Sequence, residues 1–376
     1  MMSAIATMEP TMNISHADLE PLSVGAAILG TGGGGDPYIG ELALRNLLDV
    51  SADPTVIDVD SLADDAFVVT IGMSGSPTVM LEKLIDRRFA DAALRRFERL
   101  VGRPADAILP VEIGGVNSLI PLMTACVTGL PVLDADGMGR AFPTLDRTSF
   151  GIAGISAFPV VMINERNETV IVEATDHARG ERIARGALVP MGASGSCALY
   201  PMTGREAKDT AVKGTMSLAL AIGRAVLSAR VTKSDPFAAI IETARNAKPS
   251  LFARILFDGK VSDVRRETIG GYNIGKGTLT SMNDGREAHF AFQNELQYLR
   301  SEDRLLAIVP DLICILDSET AQPITCETLR YGQRVTAMGF AATPHFRTAA
   351  GLAVTGPASF GLDYPYVPIE QLATLT

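Results

Sequence analysis

Histidine and cysteine are scarce in this 376-residue sequence, with four of each. His16, His177, His289 and His345 show neither HxH nor HxxxH spacing, so a zinc centre would have to be assembled entirely by the fold. Cys126, Cys197, Cys314 and Cys326 stand far apart without CxxC spacing, three of them in apolar stretches. They read as reduced thiols rather than a disulfide framework. Runs of Lys and Arg interleaved with aromatics are missing, and a net charge of −10 repels phosphate backbones, so nucleic acid is excluded as a partner. No apolar run reaches the ~20 residues of a membrane span. The longest, such as Met216 to Val226, are interrupted by Gly or Arg. The first residues have neither a basic n-region nor an apolar h-region, and the expectation is a soluble cytoplasmic protein.

What is present is apolar and patterned. With 47% hydrophobic and 20% charged residues, a well-filled core is available, and the length suits two domains of roughly 150 residues or more. From Ser15 the spacing of Leu19, Leu22, Ala26 and Leu29 predicts a helix, with Ser15 as cap and Asp18 three residues on. Gly30-Thr-Gly-Gly-Gly-Gly35 ends it, and Asp36-Pro37 opens a second helix with Ile39, Leu42 and Leu47 as its stripe. Strand-like runs follow at 55–59, 66–72 and 107–112, with a helix over 81–101 between the last two. Glu112 to Ser118 then leads into an apolar helix over 119–127, and Gly129 into a strand over 131–135, a βαβ unit. Two more strands are expected at 159–163 and 169–173. Residues 177–230 read as mainly helical around Gly192–Cys197, with the longest helix over 206–229. Beyond 250, short β-runs recur, with turn signals at Asp258-Gly259, Asn283-Asp284-Gly285 and Asp317-Ser318. The expected fold is an α/β N-terminal domain (12–170), then a helical segment and a β-rich, α+β C-terminal domain (171–370), the boundary falling between 165 and 250.

The glycine loop is the loudest signal, because residues without side chains let backbone N–H groups converge at an entropic cost. Gly30, Gly32 and Gly35 satisfy G-x-G-x-x-G, with Asp58 further on at a strand's end. The dinucleotide fingerprint nevertheless requires a strand where this sequence has helical periodicity, and no Lys-Ser or Lys-Thr follows to make a P-loop. Thr31, Gly32, Gly33, Gly34, Gly35 and Asp36 are therefore candidates for contacting a ligand at a helix N-terminus. The alternative is tight packing between helices.

Glu112, Asn117, Asp134 and Asp136 form a second constellation at strand ends. Two such carboxylates can act as base and acid for water addition if burial raises one pKa while a neighbour keeps the other ionised. Carboxylates there also serve as helix caps, and the same oxygens could ligate a divalent cation. Cys197 reads either as a nucleophile or as a buried thiol, and His177 beside Asp176 is the best-placed histidine. Asn294 and Glu295 end an alternating strand from which they could reach the neighbouring domain, or simply make a turn.

Taken together, Leu29-Gly-Thr-Gly-Gly-Gly-Gly-Asp-Pro-Tyr38, Glu112-Ile-Gly-Gly-Val-Asn-Ser118, Pro131-Val-Leu-Asp-Ala-Asp-Gly-Met-Gly-Arg140, Phe292-Gln-Asn-Glu295, Pro310-Asp-Leu-Ile313 and Leu329-Arg-Tyr-Gly332 resemble the DUF917 family. That family is associated with S-methyl-thiohydantoin desulfurases and described as hydantoinase/oxoprolinase-like. The matches run in order over nearly the whole chain. The resemblance implies two domains and hydrolysis at C2 of a five-membered cyclic amide or thiohydantoin-type ring, with release of a thiol. Alternatives are an ATP-dependent hydantoinase/oxoprolinase-type subunit and a non-catalytic metabolite-binding protein. The expected partner is a small-molecule substrate, with no cofactor, a divalent metal left open, and a homo-oligomeric state. Glu112, Asp134 and Asp136 are the expected catalytic residues, and the loop residues 31–36 with Asn117, Asn294 and Glu295 the expected substrate contacts.

Overall fold

The computed structural model describes residues 12–75, 79 and 90–374. The opening residues read above for a leader, and residues 81–89 of the helix expected over 81–101, lie outside that set. The N-terminal strands are β1 (Met12–Asn13), β2 (Thr55–Ile57), β3 (Phe67–Gly75), β4 (Ala107–Pro110), β5 (Val132–Leu133), β6 (Ala135–Asp136), β7 (Val160–Ile163), β8 (Thr169–Val172), β9 (Ser194–Thr203) and β10 (Val212–Lys213). Eight of them form one mixed sheet in the order β1-β2-β5-β4-β3-β9-β7-β8, with β2, β5, β4 and β3 parallel and the remaining pairs antiparallel. The Ala-Ile-Leu-Pro of β4 is buried throughout, as a central parallel strand covered on both faces must be.

Helices α1 (His16–Leu29) and α2 (Pro37–Leu48) flank the glycine loop, as the sequence pattern requires. The Asp18 carboxylate accepts from the Ser15 N–H at 3.0 Å, and Asp36 caps α2 by accepting from the Tyr38 N–H at 2.9 Å. Three further helices bear on the site, α3 (Ile120–Thr128), α4 (His177–Leu188) and α5 (Thr215–Thr232). Helices α1 and α5 cross in near-backbone contact. A Cβ on Gly25 would stand 1.7 Å from the Ala219 carbonyl oxygen, and one on Gly223 1.7 Å from that of Pro21. Among the described residues no helix is long and apolar enough to cross a membrane.

The second layer contains β11 (Ala253–Ile269), β12 (Tyr272–Thr280), β13 (Glu287–Gln293), β14 (Glu295–Ser301), β15 (Arg304–Ile308), β16 (Leu312–Asp317), β17 (Pro323–Ile324) and β18 (Arg334–Phe340). They form one antiparallel sheet in the order β15-β14-β13-β12-β11-β18-β16-β17. A mixed α/β domain followed by an all-antiparallel β domain is thus the architecture, as expected.

Three local expectations need correction. Gly192–Cys197 is not a glycine-rich break between helices, because Ser194 to Thr203 is a ten-residue strand inside the first sheet. The helix expected over 206–229 is two helices, Gly204–Thr210 and α5, separated by β10 and by Gly214 at φ 72°. Asp258-Gly259 is not a hairpin turn but lies within β11, where a Cβ on Gly259 would meet the Thr280 carbonyl oxygen at 2.5 Å. The reversal comes at Gly270-Gly271, whose φ values of 58° and 83° suit glycine.

The glycine loop docks on the second sheet through its backbone. Leu296 donates its N–H to the Thr31 carbonyl at 2.9 Å, and Cys326 to that of Gly32 at 2.8 Å. Arg140, fully buried, ties the same junction by donating to the Pro310 and Asp311 carbonyls at 2.7 and 3.0 Å and to Thr31 Oγ1 at 3.0 Å.

Candidate active site

Strands β3 and β4 run side by side; the carboxyl end of β3 supplies Ser74 and Gly75, and the chain leaving β4 supplies Glu112, to a cavity of about 90 Å³. Gly34 and Gly35 close one side, Asn117 lies at the start of the segment leading into α3, and Asn294 and Glu295 enter from the second domain. Asn294 sits at φ 61° in the tight turn joining β13 to β14, held by an N–H donated to the Asn273 carbonyl at 2.7 Å. That turn presents Glu295 directly against Gly33, where a Cβ would lie 2.1 Å from Glu295 Oε1. The loop's glycines therefore serve close approach as well as conformation: Gly32, Gly34 and Gly35 have φ values of 83°, 73° and 76°.

Glu112 is buried and accepts two hydrogen bonds, from Asn117 Nδ2 at 2.6 Å on Oε1 and from the Phe142 N–H at 3.1 Å on Oε2. Burial outweighs those donors and pushes its pKa up to about 8. Glu295 is also buried, and Oε2 has no hydrogen-bond partner among the described residues. Burial first, and the neighbouring Glu112 charge second, hold it well above the usual carboxylate range, against the pull of Arg140. Cys197 lines the cavity as a thiol, since burial and then the charges of Glu112 and Glu181 push it up to about 12.

Other candidates lie elsewhere. Asp134 caps α5, accepting from the Met216 and Ser217 N–H groups at 3.0 Å each and from Ser217 Oγ, and it lines a separate crevice beside that helix start. Asp136 is fully buried beneath the site and accepts from the backbone N–H groups of Ile113, Met138 and Gly139 at 2.8, 2.9 and 2.8 Å. Burial raises it to about 7 against those three donors. Neither aspartate borders the cavity, so the helix-cap reading describes Asp134 and a loop-anchoring one describes Asp136. Thr31, Gly32 and Gly33 are buried in the domain junction and Asp36 faces a different pocket; of the loop, Gly34 and Gly35 line the cavity. His177 accepts the Ala157 N–H on Nε2 at 3.1 Å and packs against Phe158 and Tyr200. Among the described residues no group of three or more His, Cys, Asp or Glu could hold a metal ion.

Sequence reasoning missed the rest of the wall. Met73, Met138 and Met162 line it, together with Glu181 and Arg185 of α4. Arg185 donates to Glu181 at 2.7 Å and to the Pro143 carbonyl at 2.8 Å, and stacks 4.1 Å from the Tyr272 ring centre of the second domain. The Arg-x-x-x-Glu spacing reversed, Glu181 and Arg185 one turn apart, was the available signal.

The geometry defines a two-domain protein in which a mixed α/β sheet and an antiparallel β sheet meet over a cavity lined by three buried glutamates, Glu112, Glu181 and Glu295. Residues 17–174 match the S-Me-THD-like N-terminal domain and residues 174–369 the S-Me-THD-like C-terminal domain. The chain belongs to the S-Me-THD-like family, formerly DUF917. A crystal structure of a protein from Chromobacterium violaceum shares the fold, with a TM-score of 0.78 at 24% identity over 96% of this chain and 100% of that one. A search among curated proteins finds no match.

Proposed function

We propose that the chain hydrolyses a five-membered S-alkyl thiohydantoin-type ring at C2, releasing a thiol and leaving a carbonyl, with Glu112 as the base. The observation that carries this is Glu112 itself, enclosed, oriented by Asn117 and the Phe142 N–H, and raised to about 8 within reach of neutral pH. Burial outweighs the donors on its two oxygens, so the working base is the ionised fraction, which grows as pH rises towards 8. Glu295, raised by burial first and by the Glu112 charge second, and lacking a partner on Oε2, keeps its proton. One carboxyl is then a base and the other an acid, a division set by environment.

In the reaction a water gives one proton to Glu112 while its oxygen bonds to C2. The C2=N electron pair moves to the ring nitrogen, which takes the Glu295 proton. As the adduct collapses, its hydroxyl proton returns to Glu295, C2=O forms, the C–S bond breaks, and the departing thiolate takes the proton held by Glu112. One water proton ends on sulfur by way of Glu112 and the other replaces the proton that Glu295 gave to nitrogen, so both carboxyls are restored. Asn294, whose Oδ1 accepts the Asn273 N–H at 2.9 Å, has Nδ2 left to donate to a ring carbonyl. Family membership supports the substrate class, and the paired glutamates support the step. The test is thiol release from an S-methyl thiohydantoin by wild type and Glu112→Gln. Release by the first and a loss on the order of a hundredfold or more in the second is expected. No release by wild type, or equal release by both, overturns the proposal.

A further inference from the structure

The proposed chemistry leaves one wall of the cavity unused. Val160 and Met162 on β7, and Cys197 and Leu199 on β9, all line it. Met162 pairs with Cys197 across the two strands, and residues two apart on a strand share a face, so these four side chains form one patch. On the other side of β9, Cys197 pairs with Gly72, which contributes no side chain there. Ala184 of α4 also borders the cavity and is buried in the same core cluster.

This patch is chemically distinct from the glutamate end. Strand β9 lies between β3 and β7 and is hydrogen-bonded to both, so its backbone groups are engaged in the ladder. What faces the cavity is aliphatic carbon, a thioether and one thiol, and a thiol is a weak donor. Sulfur is also concentrated here: of 14 methionines in the chain, Met73, Met138 and Met162 line this one small cavity beside Cys197. The patch and the base nevertheless line the same small cavity.

Building on the ring-hydrolysis reading, we infer that the Val160–Met162–Cys197–Leu199 patch is the subsite for the exocyclic sulfur of the substrate, and that it selects sulfur over oxygen at C2. A polarisable, poorly hydrated sulfur loses little on entering a wall of thioether and aliphatic carbon. An oxygen placed there is stripped of water, and the patch itself offers it only the Cys197 S–H, a weak donor that does not recover the penalty. The leaving thiolate departs beside the group that returns its proton. After collapse the new carbonyl oxygen lies along the in-plane direction the sulfur occupied, so the product is held less tightly than the substrate and is released.

The test measures calorimetric binding to the full-length protein of a hydantoin and of the 2-thiohydantoin with the same ring substituent, below neutral pH where both rings are uncharged. The thio ring is expected to bind at least tenfold more tightly. Cys197→Ser puts a hydroxyl donor on the same face and should bring the ratio towards one by tightening the oxo ring. Met162→Gln should move it in the same direction by an independent route, which keeps the test informative if one variant fails to fold. A wild-type ratio of one or less, or a ratio unmoved in every folded variant, overturns the subsite. Thiol-release assays separate the two ideas. Release without sulfur preference keeps the reaction and removes the subsite, whereas sulfur preference without release keeps the subsite and removes the reaction.

Discussion

Asn117 is committed to Glu112: its Nδ2 donates to Oε1 at 2.6 Å while its Oδ1 accepts the Met73 N–H at 2.6 Å. The amide thus orients the carboxylate while it lines the cavity, where sequence places it as a substrate contact. Asn117→Ala should lower kcat/KM for thiol release by roughly tenfold to a hundredfold, the worth of a hydrogen bond to a charged group. It should also move the alkaline-rising limb of the pH profile upward, because one of the donors that favour the ionised Glu112 is gone. A profile with an unmoved limb would show that the Asn117 bond does not set the base.

Glu112 also links stability to pH. Its folded value of about 8 lies above the 4.5 of an ordinary glutamate, so between those limits the native state carries a proton that the unfolded chain has lost. Stability from this group is therefore highest at low pH and falls as pH rises towards 8, by about 1.4 kcal/mol per pH unit. Denaturant unfolding of wild type and Glu112→Gln between pH 5 and 8 should show wild type losing ground to the variant by about that slope. A constant difference across the range would mean that the carboxyl titrates normally.

How much of this was legible follows from particular residues. The capped helix, glycine loop and Asp-Pro start of the next helix announce themselves because each signal is local: Ser15, Gly30 and Asp36-Pro37 act on their own neighbours. Likewise Asn294 and Glu295, at the end of an alternating run, do lie at the domain junction. Ser194–Thr203 was illegible because glycine and serine in a strand read as a loop until the flanking β3 and β7 supply the ladder. Glu112, Asp134 and Asp136 look alike in sequence. What separates them is how many backbone N–H groups the fold brings to each carboxylate, one at Glu112, two at Asp134 and three at Asp136. Arg140 showed no signal of its own, since its partners stand some 170 residues away.

Gly33 and Glu295 make a steric prediction. Gly33→Ala puts a methyl 2.1 Å from Glu295 Oε1, and its second-nearest neighbour is the Glu295 carboxyl carbon at 2.6 Å. The carboxyl must move or the domains must part, so a loss of about 1–3 kcal/mol in denaturant unfolding is expected, together with reduced thiol release. Glu295→Ala in the Gly33→Ala background removes the clash and should return most of the stability but none of the activity. Stability that is not regained in the double variant would place the strain elsewhere in the loop.

Asp134 provides the opposite case, a strand-end carboxylate whose removal should harm the fold and spare the chemistry. Its oxygens accept the first free N–H groups of α5 and the Ser217 hydroxyl, and nothing places it on the cavity wall. Asp134→Ala should therefore cost about 1–2 kcal/mol, as loss of a helix cap does, while kcat/KM per folded molecule stays within about twofold of wild type. The comparison is sharp because Glu112→Gln predicts the reverse, activity lost while the fold persists. If Asp134→Ala abolished thiol release in a protein that remained folded, the base would have to be sought at the crevice beside α5, and the cavity between the two glutamates would no longer be the reaction site.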